Sequence, residues 1–81
     1  MPLSKEVLLE FVTNNLGIDR AEVAEETPLF SSGLIDSKSM VDLILYIERE
    51  ADVSFEADDI TLEHLDTINR ILRFVDSRNG Q

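Results

Sequence analysis

There is no cysteine in this sequence. That excludes a disulfide framework, a thiolate metal site and any nucleophilic thiol supplied by the protein itself. Long apolar runs are also missing. The longest uninterrupted one, Leu43 to Ile47, is far too short to span a bilayer. The N-terminus, Met1-Pro2-Leu3-Ser4-Lys5-Glu6, has no charged region followed by an apolar block, so no signal peptide is expected and a cytoplasmic protein is the default reading. The three glycines are scattered at positions 17, 33 and 80, which leaves no Gly-rich phosphate loop. The single histidine, His64, stands in an acidic stretch without a Ser or Cys partner at recognisable spacing. Catalysis needs an activated group with an orienting partner, so no catalytic residue is expected and the chain does not read as an enzyme.

Positive charge is the other scarcity: seven Lys and Arg face seventeen Asp and Glu, for a net charge of −10. The imbalance is uneven, with residues 19–66 at −11 and residues 67–81 at +2. Such a field argues against nucleic acid or anionic membranes as partners. It suits docking onto basic protein surfaces with fast, salt-sensitive association, although acidic surfaces also simply keep proteins soluble.

What is present is helical periodicity in three segments, on a length that makes one domain over residues 1–81. The first segment runs from Ser4, an N-cap, to Asn15, with Val7, Leu8, Phe11 and Val12 as its apolar stripe and Gly17 where a helix would stop. The second starts at Asp36-Ser37 and ends near Ala51. The third starts near Asp66-Thr67 and runs to about Arg78, with Ile68, Ile71, Leu72 and Val75 on one face and Asn79-Gly80 at its end. Between the first two, Ile18 to Ile35 is long for a structureless loop. It is expected to be packed down by Leu29, Phe30, Leu34 and Ile35, helped by Ile18 and Val23, with a helical turn near Arg20–Ala24 and a break at Pro28. The acidic connector Asp52–Leu65 is expected to hold one short helix near Leu62–Leu65. The fold class predicted is all-α: a small four-helix bundle of three main helices plus a short third one.

The richest stretch is Gly33-Leu34-Ile35-Asp36-Ser37 at the mouth of the second helix. A capping carboxylate followed by a hydroxyl at the first helical position is where a phosphate or phosphodiester can rest on unpaired backbone N–H groups and the positive end of the dipole. Asp-Ser before an apolar run is also an ordinary helix start. At about 100° per residue, Met40, Leu43, Ile44 and Ile47 form the core side. Val41 and Leu45 lie beyond it, stacked at i+4 and i+8 from Ser37. That row either supports something attached to Ser37, meets a partner protein, or packs under the long loop. Tyr46, alone on the polar arc with Lys38, Asp42, Arg49 and Glu50, reads as an exposed aromatic in preference to a docking contact. The nearest metal candidate, Asp52 to Glu63, has EF-hand-like oxygen ligands but Ala57 where that loop requires glycine and Asp59 where it takes an apolar residue. No metal site is expected.

Taken together, the chain resembles the acyl carrier and peptidyl carrier protein family. The resemblance rests on Thr27-Pro28-Leu29-Phe30 and on Gly33-Leu34-Ile35-Asp36-Ser37 with Val41-Asp42-Leu43-Ile44. Ile47-Glu48, Asp59-Ile60, Leu65-Asp66-Thr67-Ile68 and Phe74-Val75 continue the same order and spacing. It implies an acyl-carrier-protein-like bundle in which Ser37 is the attachment point for 4′-phosphopantetheine. A phosphopantetheinyl transferase would deliver that arm from coenzyme A, with magnesium in its own active site. Asp36 would cap the helix and take part in the transferase's recognition. The arm's thiol would carry an acyl or aminoacyl group as a thioester, which gives sense to the missing cysteines. The resemblance further implies a free-standing, monomeric carrier. It would be served by a loading ligase and downstream synthase enzymes of fatty-acid, polyketide, nonribosomal-peptide or related specialised metabolism. Lys38, Val41, Asp42, Leu45 and Glu48 would line the docking face. One departure stands out: the family usually has Leu or Met after the serine, where this chain has Lys38. Ile-Asp-Ser in the Gly-x-x-Asp-Ser spacing looks more like stand-alone aminoacyl or D-alanyl carriers and specialised-metabolism carriers. The alternative function is an unmodified carrier-like acidic docking or regulatory module.

Overall fold

The computed structural model describes residues 3–79, without the side chain of Asn79. Four α-helices account for its regular structure: α1 (Lys5–Asn15), α2 (Ser37–Ala51), α3 (Leu62–Leu65) and α4 (Ile68–Asn79). Single turns of 3-10 helix lie at Arg20–Glu22 and Ala57–Asp59. The fold is all-α, with no strand among the described residues. The expected four-helix bundle is the observed one, including the short third helix and the turn after Asp19. The turn at Ala57–Asp59 is an addition to the single short element expected in the connector.

Each helix starts where its local chemistry places it. Ser4 accepts the Val7 N–H at 3.2 Å to open α1. Gly17 takes φ of 76° just past the last turn, and the Ile18 N–H then folds back on the Val12 carbonyl at 3.3 Å. At the other end of α2, Asp52 supplies the left-handed residue, φ 56°. A short polar side chain tolerates that conformation better than most, and no glycine marks the stop in the sequence. Asp66-Thr67, read as one helix start, divides its labour. Thr67 Oγ1 accepts the Arg70 N–H at 3.0 Å as the cap, while the Asp66 carboxylate turns away from α4 altogether. The Gly80 half of the expected stop signal lies outside the described residues.

α4 packs against both α1 and α3. The core joins all of the longer helices: Leu8, Val12, Leu43, Ile47, Leu65, Ile68 and Ile71 are fully buried. At roughly 1.5–3 kcal/mol per buried aliphatic side chain, these seven dominate the driving force. Leu9 is buried where Val7 was placed in the α1 stripe, and Met40 is only partly buried against the cluster. The buried arc of α1 is therefore rotated toward Leu9, and Met40 lies at the edge of the α2 arc. The long loop is packed down as expected, with Leu29 fully buried and Val23 and Ile35 nearly so. Pro28 lies outside any helix.

Candidate functional site

The loop ahead of α2 is built as a clasp. Leu29 and Ile35 are both buried, and the Ile35 N–H donates to the Leu29 carbonyl at 2.9 Å. The five residues between them are thereby closed into a small excursion. Within it, the Gly33 N–H donates to the Phe30 carbonyl at 3.1 Å, and Gly33 sits at φ 86°, a conformation costly for any residue with a Cβ. Asp66 holds the clasp from behind. Its carboxylate accepts from the Phe30 N–H at 2.8 Å, the Ser31 N–H at 3.0 Å and the Ser31 hydroxyl at 2.7 Å. Its own carbonyl accepts the Leu29 N–H at 2.6 Å. Burial alone would raise the Asp66 pKa, but the hydrogen bonds from Ser31 and Phe30 outweigh it and hold the group below its ordinary value. A carboxylate fixed by several donors is ionised at neutral pH. Sequence reading gave Asp66 only a helix start, because its real partners lie 35 and 36 residues away.

With Ile35 buried, Asp36 and Ser37 emerge at the surface in a fixed direction. The Asp36 carboxylate accepts the Ser39 N–H at 2.9 Å. The Ser39 backbone and hydroxyl, with Lys38 adding its charge, hold Asp36 below the usual carboxylate range. Ser37 is the first residue of α2 and is exposed. Among the described residues its N–H and that of Lys38 donate to no protein acceptor. One exposed hydroxyl thus stands beside two open N–H donors at the positive end of a fifteen-residue helix. This arrangement suits a covalently attached phosphodiester: the hydroxyl provides the bond and the amides face its oxygens, while the nearest carboxylate is occupied by Ser39.

The face running away from Ser37 is open. Val41 is 55% and Leu45 57% exposed, so they do not pack under the long loop. Lys38 and Asp42 are exposed as well. Glu48, placed on the same face by sequence, is half-buried, and its carboxylate accepts the Phe55 N–H at 2.7 Å. It pins the start of the connector to α2. Tyr46 corrects its sequence reading. It is half-buried, and its ring stacks on Phe11 at 4.1 Å between centroids and 19° between planes. Burial pushes its phenol pKa upward. The helical wheel put Tyr46 on the polar arc because it could not know that α1 covers that flank.

The second cluster of charge lies between the connector and α4. Asp59 is buried and accepts from the Glu56 N–H at 3.0 Å and from Arg78 at 2.6 Å. The backbone bond first, and then the guanidinium, hold its pKa low against the opposing effect of burial. His64 points its Nδ1 at the Asp59 carbonyl, 3.0 Å away, and tilts its ring against Phe74 at 4.8 Å. These contacts give His64 a structural position. Among the described residues no three His, Asp or Glu side chains are grouped to hold a metal ion, and no helix is long and apolar enough to cross a membrane.

Residues 6–75 match the protein family described as "Phosphopantetheine attachment site". The chain belongs to this family of carrier proteins. An acyl carrier protein of Thermotoga maritima is 32% identical over 69 residues, covering 85% of this chain and 83% of that protein. A D-alanyl carrier protein of Lactobacillus acidophilus is 27% identical over 78 residues, 96% of this chain and 98% of that one. An acyl carrier protein of Chlamydia felis is 28% identical over the full length of both. The prosthetic group of this carrier family is a covalently attached 4′-phosphopantetheine, and its members hold acyl or aminoacyl groups for other enzymes, as a rule without catalysing reactions themselves. The geometry at the start of α2 fits such a group.

Proposed function

We propose that Ser37 is the attachment point and that this carrier presents its thioester-bound cargo from the start of α2. The observation that carries the reading is the exposed Ser37 hydroxyl at the first position of α2, with the Ser37 and Lys38 N–H groups uncommitted beside it. When bound, the arm supplies the thiol that the chain lacks. The residues of the chain do the rest. Ile35 and the Asp66 clasp hold the loop from which Ser37 emerges. The α2 N-terminus and the Lys38 ammonium offset the charge of a phosphodiester there. Asp36 holds the helix start and is available to a transferase as a recognition element.

Lys38, Val41, Asp42, Leu45 and Glu48 form the proposed docking face for the phosphopantetheinyl transferase, the loading ligase and the downstream synthase enzymes. Its apolar strip is exposed and its flank is acidic, which fits partners with basic surroundings to their active sites. In the same reading the chain, residues 1–81, is one carrier domain that works as a monomer in the cytoplasm and catalyses nothing itself. Its contribution is to raise the local concentration of the tethered group at each enzyme it meets. Incubation with coenzyme A, magnesium and a broad-specificity transferase, followed by intact mass measurement, tests this. One phosphopantetheine increment on the wild-type chain and none on Ser37→Ala is the expected result. An increment that survives Ser37→Ala, or no increment with any of several transferases, refutes it.

A further inference from the structure

A cleft of about 240 Å³ opens on the side of α2 that faces the end of α1, lined by Phe11, Asn15, Leu16, Asp42, Leu45 and Tyr46. Its floor is the Phe11–Tyr46 stack, and its lip is the exposed Leu45. Its rim carries one uncommitted charge: the Asp42 carboxylate makes no hydrogen bond or ion pair among the described residues. Arg49, also at the rim, lies 3.8 Å from Glu50 and 6.0 Å from the Tyr46 ring centre, so its charge is partly spent on its own helix.

The cleft is within reach of Ser37. At about 1.5 Å per residue, Asp42 stands roughly 8 Å and Tyr46 roughly 14 Å along the axis from the attachment point. An extended chain covers about 3.4 Å for every three bonds, so an arm of about four such units also reaches roughly 14 Å. Val41 and Leu45 provide a continuous apolar track between the two places. Resting on the reading of Ser37 above, we infer that this α1–α2 cleft is a cargo subsite for a small aminoacyl group whose free ammonium pairs with Asp42.

Size and charge select that class. A cleft of about 240 Å³ suits a cargo of a few heavy atoms better than a long acyl chain. The wall is apolar and aromatic, its one carboxylate, Asp42, has no partner, and the Arg49 guanidinium at the same rim lies beside Glu50 at 3.8 Å. The net charge of −10 draws a cationic cargo toward the surface and opposes an anionic one. Lys38 makes no ion pair with Asp42. Cargo held here would lie against α1 and be drawn out when a partner covers Leu45.

The test uses isotope-labelled full-length protein carrying the arm with an amide-linked glycyl group, compared by nuclear magnetic resonance with the same protein carrying an acetyl group. Intact mass confirms loading first. Amide shifts at Phe11, Asn15, Asp42 and Tyr46 should separate glycyl from acetyl protein. Asp42→Asn should cut those differences at least twofold, while Asp58→Asn, which removes the same charge from the connector, should leave them. Identical spectra for glycyl and acetyl protein, changes confined to Ser37 and Lys38, or equal effects of the two substitutions would each overturn the inference. Failure to load at Ser37 would overturn the attachment reading and the subsite together. Loading without cleft shifts would overturn the subsite alone.

Discussion

At the start of α2 Asp36 and Asp42 are exposed, whereas Asp59 in the connector and Asp66 just after it are buried and bound within the protein. Asp42 faces water with no partner, and Asp36 spends one oxygen on a single exposed cap. Asp59 and Asp66 are buried and answered by an arginine, three backbone N–H groups and a hydroxyl. The same residue type thus has two roles in one small domain. Buried carboxylates with several donors fix one geometry, because an unanswered charge in the interior is costly. Exposed ones add little stability but set the field that partners and cargo meet. Here Asp66 holds the loop that leads into the exposed start of α2.

The comparison can be broken most completely at Ser37. Ser37→Ala should abolish phosphopantetheine addition outright while shifting unfolding free energy by no more than about 0.5 kcal/mol, measured by intact mass and urea denaturation on the same sample. Opposite behaviour belongs to Asp66. Asp66→Ala leaves the Phe30 and Ser31 donors without their acceptor and should destabilise by about 2–4 kcal/mol. Urea midpoints and hydrogen exchange at residues 29–35 would show it, and a midpoint unchanged from wild type would remove Asp66 from the scaffold.

Smaller, and confined to the loop, is the effect expected at Gly33. A Cβ there meets nothing within 4 Å, so Gly33→Ala costs only backbone strain, about 1 kcal/mol, by thermal unfolding. A loss much larger than that would mean the clasp tolerates no adjustment. The least effect on stability is expected from Leu45→Ser, within about 0.5 kcal/mol, although binding of the loading ligase should weaken severalfold by titration calorimetry. Equal binding would take Leu45 off the docking face.

Acid tests the charge of the buried Asp66 carboxylate. The Asp66 pKa is lowered in the folded state, so its contribution is complete above the unfolded value of about 3.9 and is lost as pH falls through the lower folded value. The difference between wild type and Asp66→Asn isolates the buried group: it should be largest near pH 6 and shrink below about pH 4. A constant gap down to pH 2 would show that the Asp66 charge adds nothing beyond its shape.

Much of this was legible in the linear order of residues. Ser4, Gly17 and Asp36 act within a turn of themselves, so their capping and stopping roles follow from chain chemistry alone. The apolar spacing of Ile68, Ile71, Leu72 and Val75 likewise gives α4 its buried face without reference to anything else. The roles of Asp66, Tyr46 and Glu48 were not legible. Each depends on a partner that local periodicity cannot place: the Ser31 loop, the Phe11 ring and the Phe55 N–H.

Local chemistry alone places the main helices, the Ser4 and Asp36 caps, the strongly negative field and the Asp36-Ser37 start of α2, because hydrogen bonding within a turn and hydrophobic periodicity are local properties of the chain. Tertiary packing settled that Val41 and Leu45 stay open, that Tyr46 stacks on Phe11 of α1, and that Asp66 binds the loop ahead of Ser37. Those outcomes depend on which surfaces meet when the helices pack, and a one-dimensional pattern contains each face but not its neighbour.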